Sequence, residues 1–257
     1  IVNYTTRKPQ ADTQRSVKVR IDEHGKKELI GDFTGAANEA GNILYRFIAA
    51  GEDSESFRDY SEQKSLTIAP SVTFLLNDKT QITAAYELHQ TEYPIDRGIP
   101  LGELDDGSYV IADVPIERKY SEPGDRSVDD TQLFDMTLSH QFNGNWEGEL
   151  SYSYQKWDSD WSDAQNEGFD IETGSMVRER VGYISKEQET HQGSGLVHGD
   201  FELASIQHKL TLGTDYSTSD MEAAWGENDA QPGTAFNLYN PVYGQTPTGL
   251  IYAYDEI

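Results

Sequence analysis

The chain has 257 residues, enough for one large domain or two small ones. Its 45 acidic against 20 basic residues give a formal net charge of −25, which argues against a nucleic-acid partner because a phosphate backbone would be repelled. Without cysteine there is no disulfide framework, thiolate metal site or cysteine nucleophile, and without a run of 18 apolar residues there is no transmembrane helix.

Apolar and polar residues alternate with period 2 along most of the chain, so the predicted elements are strands. Residues 16–22 set Val17, Val19 and Ile21 against Lys18, Arg20 and Asp22. Residues 28–37 put Leu29, Gly31, Phe33 and Gly35 on one face, and residues 43–51 do the same with Ile43, Tyr45, Phe47 and Ala49. Leu66, Ile68, Val72, Phe74 and Leu76 mark a strand over 65–76. Residues 80–92 oppose Ile82, Ala84, Tyr86 and Leu88 to Gln81, Thr83, Glu87 and His89. Strands over 131–142 and 146–157 follow, then a long and less regular extended segment over 176–202, and a strand over 206–216 with Ile206, Leu210, Leu212 and Tyr216. These make about nine strands, many longer than is usual in soluble sheets.

The connections sort by length. Residues 38–42, 77–78, 143–145 and 203–205 are short and rich in the Asn, Asp and Gly of tight turns. Long polar loops are expected at 52–63, 93–129, 158–175 and 218–257, with a short turn at 23–26 on that same side. Short turns on one rim and long loops on the other are how outer-membrane barrels are built. The hairpin over 131–157 tests this. A turn at 143–145 would set Phe142 against Trp146 and Phe134 against Tyr154, an aromatic pair at each end of one face. Met136, Leu138, Gly148, Leu150 and Tyr152 lie between them, and the other face is almost wholly polar. Eight residues at about 3.3 Å rise and about 40° tilt span roughly 20 Å, close to the apolar band of such barrels. The greasy face therefore reads as lipid-facing, the polar face as lumenal. The alternatives are a passive porin-like channel and a soluble β-sandwich binding module.

The acidic runs Glu52-Asp53-Ser54-Glu55 and Asp158-Ser159-Asp160 fall in expected loops. They read as solvated surface, or as groups bridged by divalent cations to lipopolysaccharide. The chain opens on Ile-Val-Asn-Tyr, with no secretory leader pattern, and closes within an expected loop or strand, so it reads as a fragment.

Three segments carry a family resemblance. Ile1-Val2-Asn3-Tyr4-Thr5-Thr6-Arg7-Lys8-Pro9 resembles the end of the plug domain of TonB-dependent outer-membrane receptors. Asp96-Arg97-Gly98-Ile99-Pro100 and Phe236-Asn237-Leu238-Tyr239-Asn240-Pro241-Val242-Tyr243-Gly244 resemble recurrent segments of the siderophore-receptor branch. The resemblance implies an all-β, antiparallel, up-and-down transmembrane β-barrel fragment in a Gram-negative outer membrane. Residues 1–12 would end the plug and residues 13–257 would form the first part of the barrel wall. It implies uptake of ferric siderophores, with iron carried in the ligand and no cofactor held by dedicated protein groups. The implied partners are the TonB-ExbB-ExbD complex, engaged through the missing N-terminal part, and outer-membrane lipid and lipopolysaccharide.

A siderophore site needs aromatic faces and a few donors near the outer rim. Strand phase nominates Tyr93, which is in phase with Thr83, Glu87 and His89, and Trp157, which is in phase with Glu149, Ser151 and Ser153. Trp161, Trp225, Tyr239 and Tyr243 fall in adjoining loops, as ligand contacts or as loop packing. Arg97 is a ligand cation or the partner of an acid in its own loop, Asp96 or Asp105. The six histidines lack metal-ligand spacing. Asp158, Asp160, Asp163 and Glu167 crowd one expected loop but depart from a calcium-loop pattern. No nucleophile–base pair or phosphate loop supports an enzyme. Asn3-Tyr4-Thr5 fits a glycosylation sequon that a bacterial setting leaves idle.

Overall fold

A computed structural model gives the fold of residues 6–23, 25–228 and 235–245 and the backbone of 251–253. Residues 1–5, with the Asn3-Tyr4-Thr5 sequon, and His24 lie outside the described residues, so the plug end expected over 1–12 is described only from Thr6 onward.

Nine long strands appear where alternation predicts them. They are β1 (Gln14–Ile21), β2 (Lys27–Ala36), β3 (Ile43–Glu55), β4 (Glu62–Asn77), β5 (Thr80–Pro94), β8 (Arg126–Asn143), β9 (Trp146–Phe169), β10 (Ser175–Leu203) and β11 (Ile206–Asn228). Four short ones lie between or after them: β6 (Leu101–Glu103), β7 (Tyr109–Ile111), β12 (Phe236–Asn237) and β13 (Ile251–Ala253). The long strands pair antiparallel in chain order, β13 adds to β11, β12 adds to β10, and β6 and β7 make a separate hairpin. This is one meander whose two ends are not joined among the described residues.

The register fixes the two sides. Phe134 pairs with Tyr154, Met136 with Tyr152 and Leu138 with Leu150, so the apolar residues of adjacent strands share a face. Phe134 is 37%, Leu150 61% and Tyr152 39% exposed, with no second layer of protein over them among the described residues. A sandwich would bury these side chains. In water such a face would cost roughly 25 cal/mol for each Å² left uncovered, and hydrocarbon removes that cost. The opposite face pairs Asp135 with Ser153, Thr137 with Ser151 and Ser139 with Glu149.

On β2 and β3 the polar face receives the incoming chain. The Gln10 backbone N–H donates to the Thr34 hydroxyl at 2.9 Å and the Arg46 guanidinium donates to the Lys8 carbonyl at 3.1 Å. Arg46 and Arg7 both pair with Asp32, at 2.6 and 3.0 Å.

The short turns form by the expected chemistry. The Asn143 side chain accepts from the Asn145 N–H at 2.9 Å, and Asn77 does the same for Lys79 at 2.9 Å. Ala204 and Ser205 both adopt left-handed φ, 53° and 62°, the backbone twist that closes a two-residue hairpin between β10 and β11.

Two expectations are corrected. Phe142 does not face Trp146. Asn143 takes that place, because a bulge after Gln141 sets Phe142 aside to pack on Gly148 and, edge-on at 4.8 Å, on His140. The strands also run well past their predicted upper ends, by up to twelve residues in β9 and β11. The acidic runs at 52–55 and 158–160 are therefore strand, and the loop expected over 158–175 reduces to residues 170–174. Above the bilayer neither face needs to be greasy, so alternation fades while the hydrogen-bonded ladder continues. The phase of β9 also separates the acids expected in one loop: Asp158 and Asp160 face one side and Asp163 the other, while Glu167 falls at a bulge. Asp130, Asp158, Glu187 and Glu222 are direct cross-strand neighbours on β8 to β11, one carboxylate row above the outer aromatic girdle. Lys156 pairs with Glu187 at 2.6 Å beside that row.

Candidate functional site

The polar side of the upper sheet carries an aromatic row. Tyr93 pairs with Ser127, Ser127 with Trp161, Trp161 with Tyr183 and Tyr183 with Trp225, across β5, β8, β9, β10 and β11. The rings of Trp161, Tyr183 and Trp225 meet edge to face, with centroids 5.2 to 5.7 Å apart. That is the geometry aromatic quadrupoles favour, and each contact adds about 0.5–1.5 kcal/mol beyond burial. Next to the row is a cleft of about 330 Å³ lined by Tyr93, Arg97, Asp129, Trp157, Trp161 and Lys186 among others. The Lys186 ammonium sits 5.0 Å from the ring centroids of both Trp157 and Tyr183.

Of the seven nominated residues, four line this cleft and Trp225 abuts it through Trp161 and Tyr183. Trp161 and Trp225 are strand residues rather than loop residues, because β9 and β11 extend beyond their apolar stretches. Tyr239 and Tyr243 lie elsewhere, in a core built by the loops. The Tyr239 hydroxyl donates to the Ile171 carbonyl, and that of Tyr243 to the Lys119 carbonyl, both closing the loop on its neighbours. Tyr183 and Lys186 escape detection by phase. A register shift between them puts both on the inner face although their numbers differ by three.

Arg97 pairs with Asp163 on β9, not with Asp96 or Asp105. Asp96 instead pairs with Arg58 at 2.9 Å. Asp163 is 0% exposed, and burial pushes its carboxyl above the ordinary carboxylate range against the pull of Arg97.

Above the cleft the loop over 95–125 and the segment over 236–244 share a small core of Ala112, Tyr120, Met176, Phe236 and Leu238. Polar groups enter it in pairs. Arg178 bonds Glu122 at 2.7 Å and the Tyr120 carbonyl at 2.6 Å, with its guanidinium 3.9 Å over the Phe236 ring. Arg180 pairs with Asp125, whose other oxygen accepts the Ala164 and Glu122 N–H groups at 2.9 and 2.6 Å. Burial pushes the Tyr120 phenol up to about 12 and the Lys119 ammonium down.

A sheet greasy on one side and polar on the other, with tight turns along one rim and a loop core above the other, is the wall of an outer-membrane β-barrel. Comparison with known proteins finds its likeness among TonB-dependent siderophore receptors. The chain is 28% identical over 248 residues to the metal-pseudopaline receptor CntO of Pseudomonas aeruginosa, covering 95% of this chain and 34% of that protein. It is 25% identical over 164 residues to a probable TonB-dependent siderophore receptor, PiuA, of Acinetobacter baumannii, covering 61% and 22%. Among solved structures it matches that PiuA receptor (TM-score 0.83, 18% identity, covering 96% of this chain and 38% of that one). It also matches the ferric-catecholate import receptor Fiu of E. coli (TM-score 0.82, 18% identity, 96% and 40%). No family model matches the chain. The chain spans about a third of the length of the curated relatives it matches. These relatives are receptors and not enzymes, and the wall described here belongs in an outer membrane.

Proposed function

We propose that the whole protein imports a metal–chelator complex, a ferric siderophore in the first instance, across the outer membrane. Residues 6–12 are read as the end of a plug, since Lys8 and Gln10 are held on the inner face of β2 and β3. The TonB-ExbB-ExbD complex supplies the work of release through the plug, while lipid and lipopolysaccharide contact the apolar outer face. The observation that carries this reading is the aromatic cleft on the lumenal side, formed by Tyr93, Trp157, Trp161 and Tyr183 beside two cations. Flat faces and a few charged donors are what a bulky chelate needs. A passive channel has no use for such a cleft or for a segment laid across its inner wall.

The test is accumulation of radiolabelled iron from a panel of ferric siderophores, in cells with and without the gene and with and without TonB. Uptake that needs both supports the reading, and uptake independent of TonB returns it to a passive channel. A relative named for a metal–pseudopaline complex favours one further arm, the same assay with chelates of divalent metals in place of iron.

A further inference from the structure

The cleft holds two charged groups that the fold leaves open. No carboxylate pairs with the Lys186 ammonium among the described residues. One oxygen of Asp129, on the same face two strands away, is buried without a hydrogen-bond partner. Arg97, the other cation, is already committed to Asp163.

Lys186 is also held in place. Trp157 and Tyr183 each present a ring to its ammonium at 5.0 Å. Two such contacts order a flexible four-carbon stem before any ligand arrives, so less freedom is lost on binding. Rings attract the charge but accept no N–H hydrogen bond along a lone pair, so the ammonium keeps donors to offer. A ligand cation approaching the same rings would meet a like charge. A carboxylate or phenolate oxygen would instead gain a charge-assisted hydrogen bond in a partly dry site.

We infer that Lys186 is the specificity residue of the cleft, selecting metal chelates that carry a peripheral anionic oxygen over neutral and cationic ones. Asp129 then accepts an N–H or O–H of the same ligand. This deepens the receptor reading above and rests on it.

The experiment uses the whole receptor in detergent, with tryptophan fluorescence read during titration with three ferric probes. These are an anionic α-hydroxycarboxylate chelate (ferric citrate), a neutral cyclic trihydroxamate and a cationic linear trihydroxamate. The wild type is expected to bind the anionic probe tightest. K186M is expected to lose roughly ten- to hundredfold for that probe and little for the neutral one. K186R, which restores the charge, is expected to recover most of the loss. Equal losses for all probes in K186M, or no preference for the anionic probe in the wild type, would overturn the assignment of Lys186 alone. Binding of none of the three by the wild type, together with no TonB-dependent uptake of any metal chelate, would overturn the receptor reading and this inference with it.

Discussion

Lys119 and Asp163 show what burial does to single charges here. Lys119 is buried in the loop core and its ammonium is pushed down, chiefly by loss of water. Lys119→Met is expected to stabilise the loop core by roughly 1–2 kcal/mol and so raise its thermal midpoint, because an apolar chain of similar size removes the desolvation cost. Limited proteolysis of the loop over 95–125 against temperature would show it. Asp163 runs the other way. Its folded carboxyl holds a proton more tightly than the ordinary 3.8, so its contribution to stability is complete below that value and is lost as pH rises through the raised value. Arg97 opposes the rise, so Arg97→Met is expected to carry that loss to higher pH. An unchanged pH profile of unfolding would refute the pairing's role. Tyr93 and Trp157 were legible in the sequence because they continue the alternation of strands whose phase the bilayer imposes. Tyr183 and Lys186 were not, since a bulge is invisible to periodicity. The partner of Arg97 was missed because Asp163 lies 66 residues away and only the sheet brings it near.

At the scale of the element, strand existence and order were readable and upper boundaries were not. The apolar period that announces a strand stops where lipid stops, while β9 and β10 run on to Phe169 and up from Ser175. Gly182 lies in that upper stretch, where a methyl group would overlap the Trp161 carbonyl and the Ser162 backbone. Gly182→Ala is therefore expected to cost about 1–3 kcal/mol and to loosen the cleft, seen as weaker tryptophan fluorescence shifts on ligand titration. The row Asp130, Asp158, Glu187 and Glu222 sets like charges opposite one another, which is unfavourable between strands. Glu222→Lys is expected to raise the unfolding temperature at low salt and to do so less at high salt, where screening already relieves the repulsion.

For the molecule as a whole, the membrane assignment rests on which side is bare. The side chains predicted to touch lipid are exposed in the structure, while the buried residues gather in the loop core and around the segment over 6–13. That loop core was the least legible part. Its contacts join Arg58 to Arg118, Arg118 to Leu238 and Arg178 to Phe236, and no local pattern reports pairings of that range. The sheet also leaves the free edge of β1 unpaired among the described residues. Expressed alone in buffer without detergent, these 257 residues are expected to aggregate through that edge and the greasy face. A monodisperse product with a cooperative unfolding transition, by light scattering and circular dichroism, would contradict this.

The length of β10 has a consequence for what approaches the cell. Its 29 residues extend roughly 95 Å along the strand, about 70 Å of height at a tilt of about 40°, and only about 25 Å of that height is hydrocarbon. With its neighbours it forms a mast that lifts the loops clear of the lipid headgroups. Antibodies and other large particles arriving from outside would meet the β6–β7 tip at Asp105–Gly107 long before they met the bilayer. A short epitope tag inserted there is therefore expected to be detectable on intact cells.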